Sequence, residues 1–149
     1  MNTKRILIGA VLAAVVYFLL GWLMYGNLMQ DYFMRHHGSA GNLVNEVMRD
    51  NNHMLLWAIG LGNLASGMLL AIIYERSAIL TFTAGMVMGG IIGLFSSLAH
   101  GLIMYGASNM MDKFGVMGDV MVMTIMSALA GGVCGMVMGK VSPKMVTTV

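Results

Sequence analysis

The sequence predicts an all-α integral membrane protein, a four-helix bundle forming one domain over residues 1–149. Three observations carry this reading. Hydrophobic residues make up 58% of the chain and charged residues 9%, with a mean hydropathy of +0.81. An ordinary soluble domain is about 25% charged, so this chain lacks the polar surface that water requires, and lipid is its expected solvent. Four apolar stretches also reach the roughly 20 residues that a bilayer core of about 30 Å demands at 1.5 Å per residue. Finally, a block at the end of the first stretch returns at the end of the third.

The first span covers 6–25 and holds no charge. Lys4 and Arg5 before an apolar run resemble the start of a signal peptide. The run is too long for one, however, and no small-x-small cleavage site follows, so the helix is expected to stay uncleaved. Beyond Ala14 and Gly21 it lacks a regular pattern of small residues, which predicts a peripheral helix or one facing a partner.

The outer loop, 26–52, is the only long polar segment. Leu28, Met29, Tyr32, Phe33 and His36 share one helical face. After the Gly38–Gly41 turn, Leu43, Val44, Val47 and Met48 share another, with Asn42, Asn45, Glu46, Arg49 and Asp50 elsewhere. This predicts two short amphipathic helices that either cap the outer mouth of the bundle or rest on lipid headgroups.

Spans two, three and four cover 54–74, 79–105 and 116–139. The third carries Thr81, Gly85, Gly89, Gly93, Ser97 and Gly101 at every fourth position. The fourth carries Ser127, Gly131, Gly135 and Gly139. Lipid tails are as apolar as Leu, so helices in a bilayer associate by close backbone approach, and residues four apart share a face. The third and fourth spans are therefore expected to pack closest, although such a face suits a second copy equally well. Span two has the shorter series Asn63, Gly67, Ala71.

Four spans bring both ends to one side. That side holds Lys4, Arg5, Arg76, Lys140 and Lys144 against Arg35, Arg49 and Lys113 opposite, a bias that favours cytoplasmic termini. Trp22, Tyr25, Trp57, Tyr74 and Tyr105 fall near the expected interfaces, where amphipathic rings prefer to sit. Spans one and three then both run outward. GWLMYG from Gly21 and GLIMYG from Gly101 mark their outer ends, and Asp31/Phe33 and Asp112/Phe114 follow in turn. Leu64-Ala65-Ser66-Gly67 echoes Leu129-Ala130-Gly131-Gly132 more weakly. Two helical hairpins related by a parallel repeat account for both echoes.

Functional signals are sparse. The single Cys134 excludes an internal disulfide and any CxxC motif, and its apolar surroundings make it a small packing residue. A net charge of +2 with scattered basic residues gives no nucleic-acid footprint. Nineteen Met residues suggest Cu(I), but Met86/Met88, Met121/Met123 and Met136/Met138 are two apart and point about 160° away from each other on a helix. Packing explains them better. All four histidines fall on the outer side: His36, His37, His53 at the start of span two, and His100 one turn inside span three.

Asp119 enters span four at the level of His100, and Met104 lies one turn from it. Imidazole and thioether groups on several elements suit zinc, copper or a haem iron, yet no HxxxH or HxxE spacing occurs. A hydrogen bond from His100 to a backbone carbonyl, Asn63 or Asp119 competes with ligation. Asn63, near mid-span, reads as interhelical glue or as a ligand contact. No Asp or Glu lies at mid-membrane depth, which argues against a proton-coupled exporter. No GxSxG, P-loop, HExxH or paired carboxylate is present, so no enzyme is expected.

The segment Gly21-Trp22-Leu23-Met24-Tyr25-Gly26-Asn27, followed by Phe33-Met34, resembles the opening signature of a family of small bacterial four-helix membrane proteins defined only as a domain of unknown function. Met24 stands where the family often has an aromatic, and no Pro follows Gly26. The resemblance implies this fold and an inner-membrane location, and it transfers no site residues. The leading functional expectation is a structural or accessory subunit that packs against itself or a larger membrane complex, with no resident cofactor. The second is an outer-facing binding or transport module for a metal ion, a haem or a small apolar ligand, centred on His100 with His53, Asp119, Asn63 and Met104.

Overall fold

In a computed structural model the described residues are 2–41, 43, 46, 49 and 53–141. Five α-helices are described: α1 (Thr3–Leu23), α2 (Gln30–Arg35), α3 (Leu56–Arg76), α4 (Phe82–Ala107) and α5 (Lys113–Lys140), with a π-helical turn, Met24–Leu28, prolonging α1. All strongly apolar segments are helical, and four helices are long and apolar enough to cross a membrane: α1 with its π turn, α3, α4 and α5. Their limits lie within a few residues of the expected spans.

Side-chain caps set where α1, α4 and α5 begin. The Asn2 side chain accepts the Arg5 N–H at 3.3 Å, that of Thr81 accepts the Ala84 N–H at 3.3 Å, and that of Asp112 accepts the Gly115 N–H at 2.7 Å. Each satisfies one of the amides that a helix start leaves without an intrahelical partner. The turn between α3 and α4 closes on a Schellman pattern, with Ile79 N–H bonding to Tyr74 C=O at 3.0 Å and Ala78 left-handed at φ 51°.

The tightest packing joins α4 to α5 in antiparallel register. A Cβ on Gly85 would strike the Gly131 carbonyl, one on Gly89 the Ser127 carbonyl, and one on Gly139 the Leu80 carbonyl. Further along, Gly93 meets the Ser127 side chain and Gly101 meets Val116. The small residues of both helices are thus consumed by one continuous contact within the chain.

Helix α1 is central, which corrects the expectation that it lies at the periphery. It packs against α3 and also against α5. Ala10 and Ala13 are fully buried; Gly67 of α3 sits against the Ala10 carbonyl, and Gly9 against Met138 and Cys134 of α5. Alanine is small enough to permit close approach, so a search for glycine periodicity alone overlooks this helix. Helix α4, by contrast, packs chiefly on α5 and leaves most of its circumference exposed.

Tyr74 holds α3 to the rest of the bundle. Near the end of α3, it is fully buried against protein, because its hydroxyl donates to the Gly85 carbonyl and ties α3 to the α4–α5 pair. Trp22 and Trp57 remain exposed. Cys134 is fully buried, with its Sγ 3.6 Å from Met138 Sδ. The start of α1 and the end of α3 are joined by Arg5 and Glu75, with Nε 3.5 Å from Oε2, while Asn2 N–H donates to Glu75 Oε1 at 2.8 Å. The second amphipathic segment, with Asn42, Val44, Asn45, Val47, Met48 and Asp50, lies largely outside the described residues, as does Lys144.

Candidate functional site

The opposite end of the bundle from the Arg5–Glu75 pair carries the most side-chain chemistry. The π turn, in which Met29 N–H bonds to Met24 C=O at 2.7 Å, holds Tyr25. Turns of this kind often occur at functional positions. The Tyr25 hydroxyl donates to Asp119 Oδ1 at 2.6 Å, a short bond of the kind a carboxylate acceptor gives. The Tyr25 ring stacks on Phe33, with centroids 5.3 Å apart. Helix α2 is thereby folded back over the top of α5.

A second set of bonds fastens this cap. Tyr32 donates its hydroxyl proton to the Phe114 carbonyl at 2.7 Å, and His36 Nδ1 lies 3.0 Å from Asp112 Oδ2. The backbone follows: Asp112 N–H bonds to His36 C=O, Gly38 N–H to Met110 C=O, and Ala40 N–H to Asn109 C=O, each at 3.1 Å. His37 and Met111 form an isolated antiparallel bridge. Gly38 is needed here, because any side chain would meet the Asn109 carbonyl. Of the two placements expected for the first amphipathic segment, the described part packs on protein.

Asp112 is the electrostatic centre of this strap. The Gly115 N–H and the His36 ring beside it hold its carboxyl below the usual carboxylate range. Asp112 thus makes three contacts at once, capping α5, pairing with the His36 ring and donating its backbone N–H to the His36 carbonyl. A shallow polar cavity of about 380 Å³ lies alongside, between Ser39, Tyr105, Asn109 and Asp112. Neither the strap nor this cavity is visible in the sequence, beyond the Asp-x-Phe echo that marks Asp112 and Phe114.

The expected site residues are distributed differently. Asp119 is half-buried and engaged by Tyr25, whereas His100 is exposed on α4 and makes no hydrogen bond within the described residues. Among the described residues, the bond foreseen from His100 to a carbonyl, to Asn63 or to Asp119 is therefore not made: α4 turns only its small-residue stripe towards α5, and His100 lies off that stripe. Met104 is exposed one turn further out, and His53 is exposed just before α3. Asn63 lines an apolar groove of about 390 Å³ between α1 and α3. Among the described residues, no three His, Cys, Asp or Glu side chains are grouped so as to hold a metal ion.

Together these features describe an all-helical protein with four long apolar helices, closed at one end by a buried ion pair and at the other by an aromatic and hydrogen-bonded cap. No protein-family model, curated protein or solved structure matches the chain.

Proposed function

We propose that this is a small polytopic protein of a bacterial inner membrane, with both termini in the cytoplasm. It acts without catalysis, as a structural or accessory subunit that packs against a second copy or a larger membrane complex. The observation that carries this reading is the distribution of apolar surface. Only 17% of the most apolar stretch of α3 and 22% of that of α4 is buried within the chain. Leu61, Ile91, Phe95 and Ile103 all stand exposed. A surface of this size and chemistry needs lipid or protein against it.

The charge bias and the resemblance of the first hairpin to small bacterial four-helix proteins support the orientation and location. The paired MYG blocks support an origin from two like hairpins, α1–α3 and α4–α5, whose packing has since diverged. The test is twofold. Tags at the two ends should be reachable from the cytoplasmic side only, and the intact assembly extracted from its native membrane should exceed the mass of one chain. A water-soluble monomer would overturn the proposal.

A second reading keeps an outer-facing site for a metal ion, a haem or a small apolar ligand at His100. It is favoured by one observation, an imidazole at span depth with no hydrogen-bond partner among the described residues. Gently purified protein with haem absorption or stoichiometric metal, lost in His100→Ala, would establish it. A spectroscopic and metal blank would remove it.

A further inference from the structure

The glycine faces of α4 and α5 close on each other, so self-association must use another surface. Helices α1 and α3 provide one. They meet tightly where Gly67 lies against the Ala10 carbonyl, and they part towards the outer half, where a Cβ on Gly60 would meet nothing within 4 Å. The groove between them is walled by Val11, Val15 and Phe18 on one side and by Gly60 and Leu64 on the other. Its one polar side chain is the Asn63 carboxamide.

That carboxamide makes no hydrogen bond within the described residues, whereas Asn27 at the outer end donates to the Trp22 carbonyl at 3.0 Å. Asn63 stands seven residues into α3, about 10 Å below its outer end at 1.5 Å per residue. Hydrocarbon at that depth supplies neither donor nor acceptor, and an unpaired amide there is costly.

We propose that a second copy of this chain docks along this groove across a two-fold axis, with the two Asn63 carboxamides bonded to each other. The inference rests on the membrane and self-packing reading given above and assigns its surface. A carboxamide carries two donor hydrogens and an acceptor oxygen, so the same group on both sides of an isologous contact satisfies itself. Ala14 and Gly60 leave room for backbones to approach, the arrangement by which helices pair in lipid. A lipid tail or another apolar molecule would fill the groove yet leave the amide without a partner.

The test uses the full-length protein in its native membrane. Gly60→Cys introduces a thiol beside the groove, and the buried Cys134 does not compete with it. Mild oxidation should trap Gly60→Cys as a covalent dimer, while Phe95→Cys, exposed on α4, should not cross-link. On dilution into lipid, Asn63→Leu should lower the dimer fraction about tenfold, and Asn63→Gln should retain most of it. If Asn63→Leu fails to fold, the Gly60→Cys cross-link, made with Asn63 intact, still decides.

Cross-linking at Phe95→Cys but not at Gly60→Cys would overturn this face while leaving self-packing in place. An association unchanged in Asn63→Leu would overturn the amide contact. A lipid or apolar molecule co-purifying in the groove, with no cross-link, would replace the second copy as its occupant. A chain monomeric at every dilution would remove both this inference and self-packing, while a larger partner complex would survive.

Discussion

At the scale of single residues, the strongest local statements concern Ala78 and Asp112. Ala78 occupies the left-handed position that ends α3, with Ile79 tucked in as the buried residue of the motif. Glycine is the usual residue there because an L side chain crowds the following carbonyl. Ala78→Gly is expected to stabilise the protein by about 1 kcal/mol, less the added freedom of the unfolded chain, read as a higher midpoint in detergent unfolding. For Asp112 the sign follows from its depressed carboxyl. A group whose pKa is lower folded than unfolded contributes stability above the unfolded value of about 3.9, and loses it as pH falls through the folded value. The protection factor of the Gly115 amide, taken relative to its intrinsic exchange rate, should therefore fall as the solution is taken below about pH 4. In Asp112→Asn, which keeps a capping oxygen but cannot titrate, that step should vanish.

At the scale of elements, the α4–α5 contact is the least forgiving part of the molecule. The obstruction at Gly89 is the Ser127 carbonyl, which cannot rotate aside as a side-chain tip would. Gly89→Val should thus separate the helices and cost about 1–3 kcal/mol, as overpacking of a filled contact does. Gly62 gives the matching control, since a Cβ there meets nothing within 4 Å. Gly62→Ala should be neutral or stabilising by up to about 1 kcal/mol through helix propensity alone. Equal losses in the two variants, measured by the same unfolding assay, would refute the assignment of this stripe to intrachain packing. The cap illustrates a different kind of element. Its described helix is only six residues long, too short to hold itself, and it is fixed instead by Tyr25, Tyr32, His36 and the backbone of the loop between α4 and α5.

At the scale of the whole molecule, α5 is the hub, with α4 on one flank and α1 on another, and α3 packs mainly on α1 while Tyr74 ties it directly to the α4–α5 pair. The Arg5–Glu75 pair closes the end where the chain begins. Both side chains are about nine-tenths buried, at 12% and 9% exposure. Removing one partner of such a pair strands the other charge, whereas replacing both removes the burial penalty along with the attraction. Arg5→Leu or Glu75→Leu alone is expected to destabilise by roughly 3 kcal/mol, and the double variant by less than either single. An additive double variant would show that the pair contributes nothing as a pair.

Composition and stretch length fixed the all-helical class of this molecule and the number and approximate limits of its long apolar helices, because a long apolar helix depends on little beyond the local run of residues. The stripes at Gly85–Gly93 and Gly131–Gly139 marked their own contact for the same reason, since one helix is enough to define a face. The position of α1, the burial of Tyr74, the bond between Tyr25 and Asp119 and the strap around Asp112 were decided only in three dimensions. Each joins residues far apart in the chain, and their chemistry is ordinary until a partner arrives. A tyrosine reads as an interface residue and an alanine as filler, and only the surrounding helices turn one into a tether and the other into the closest point of the core.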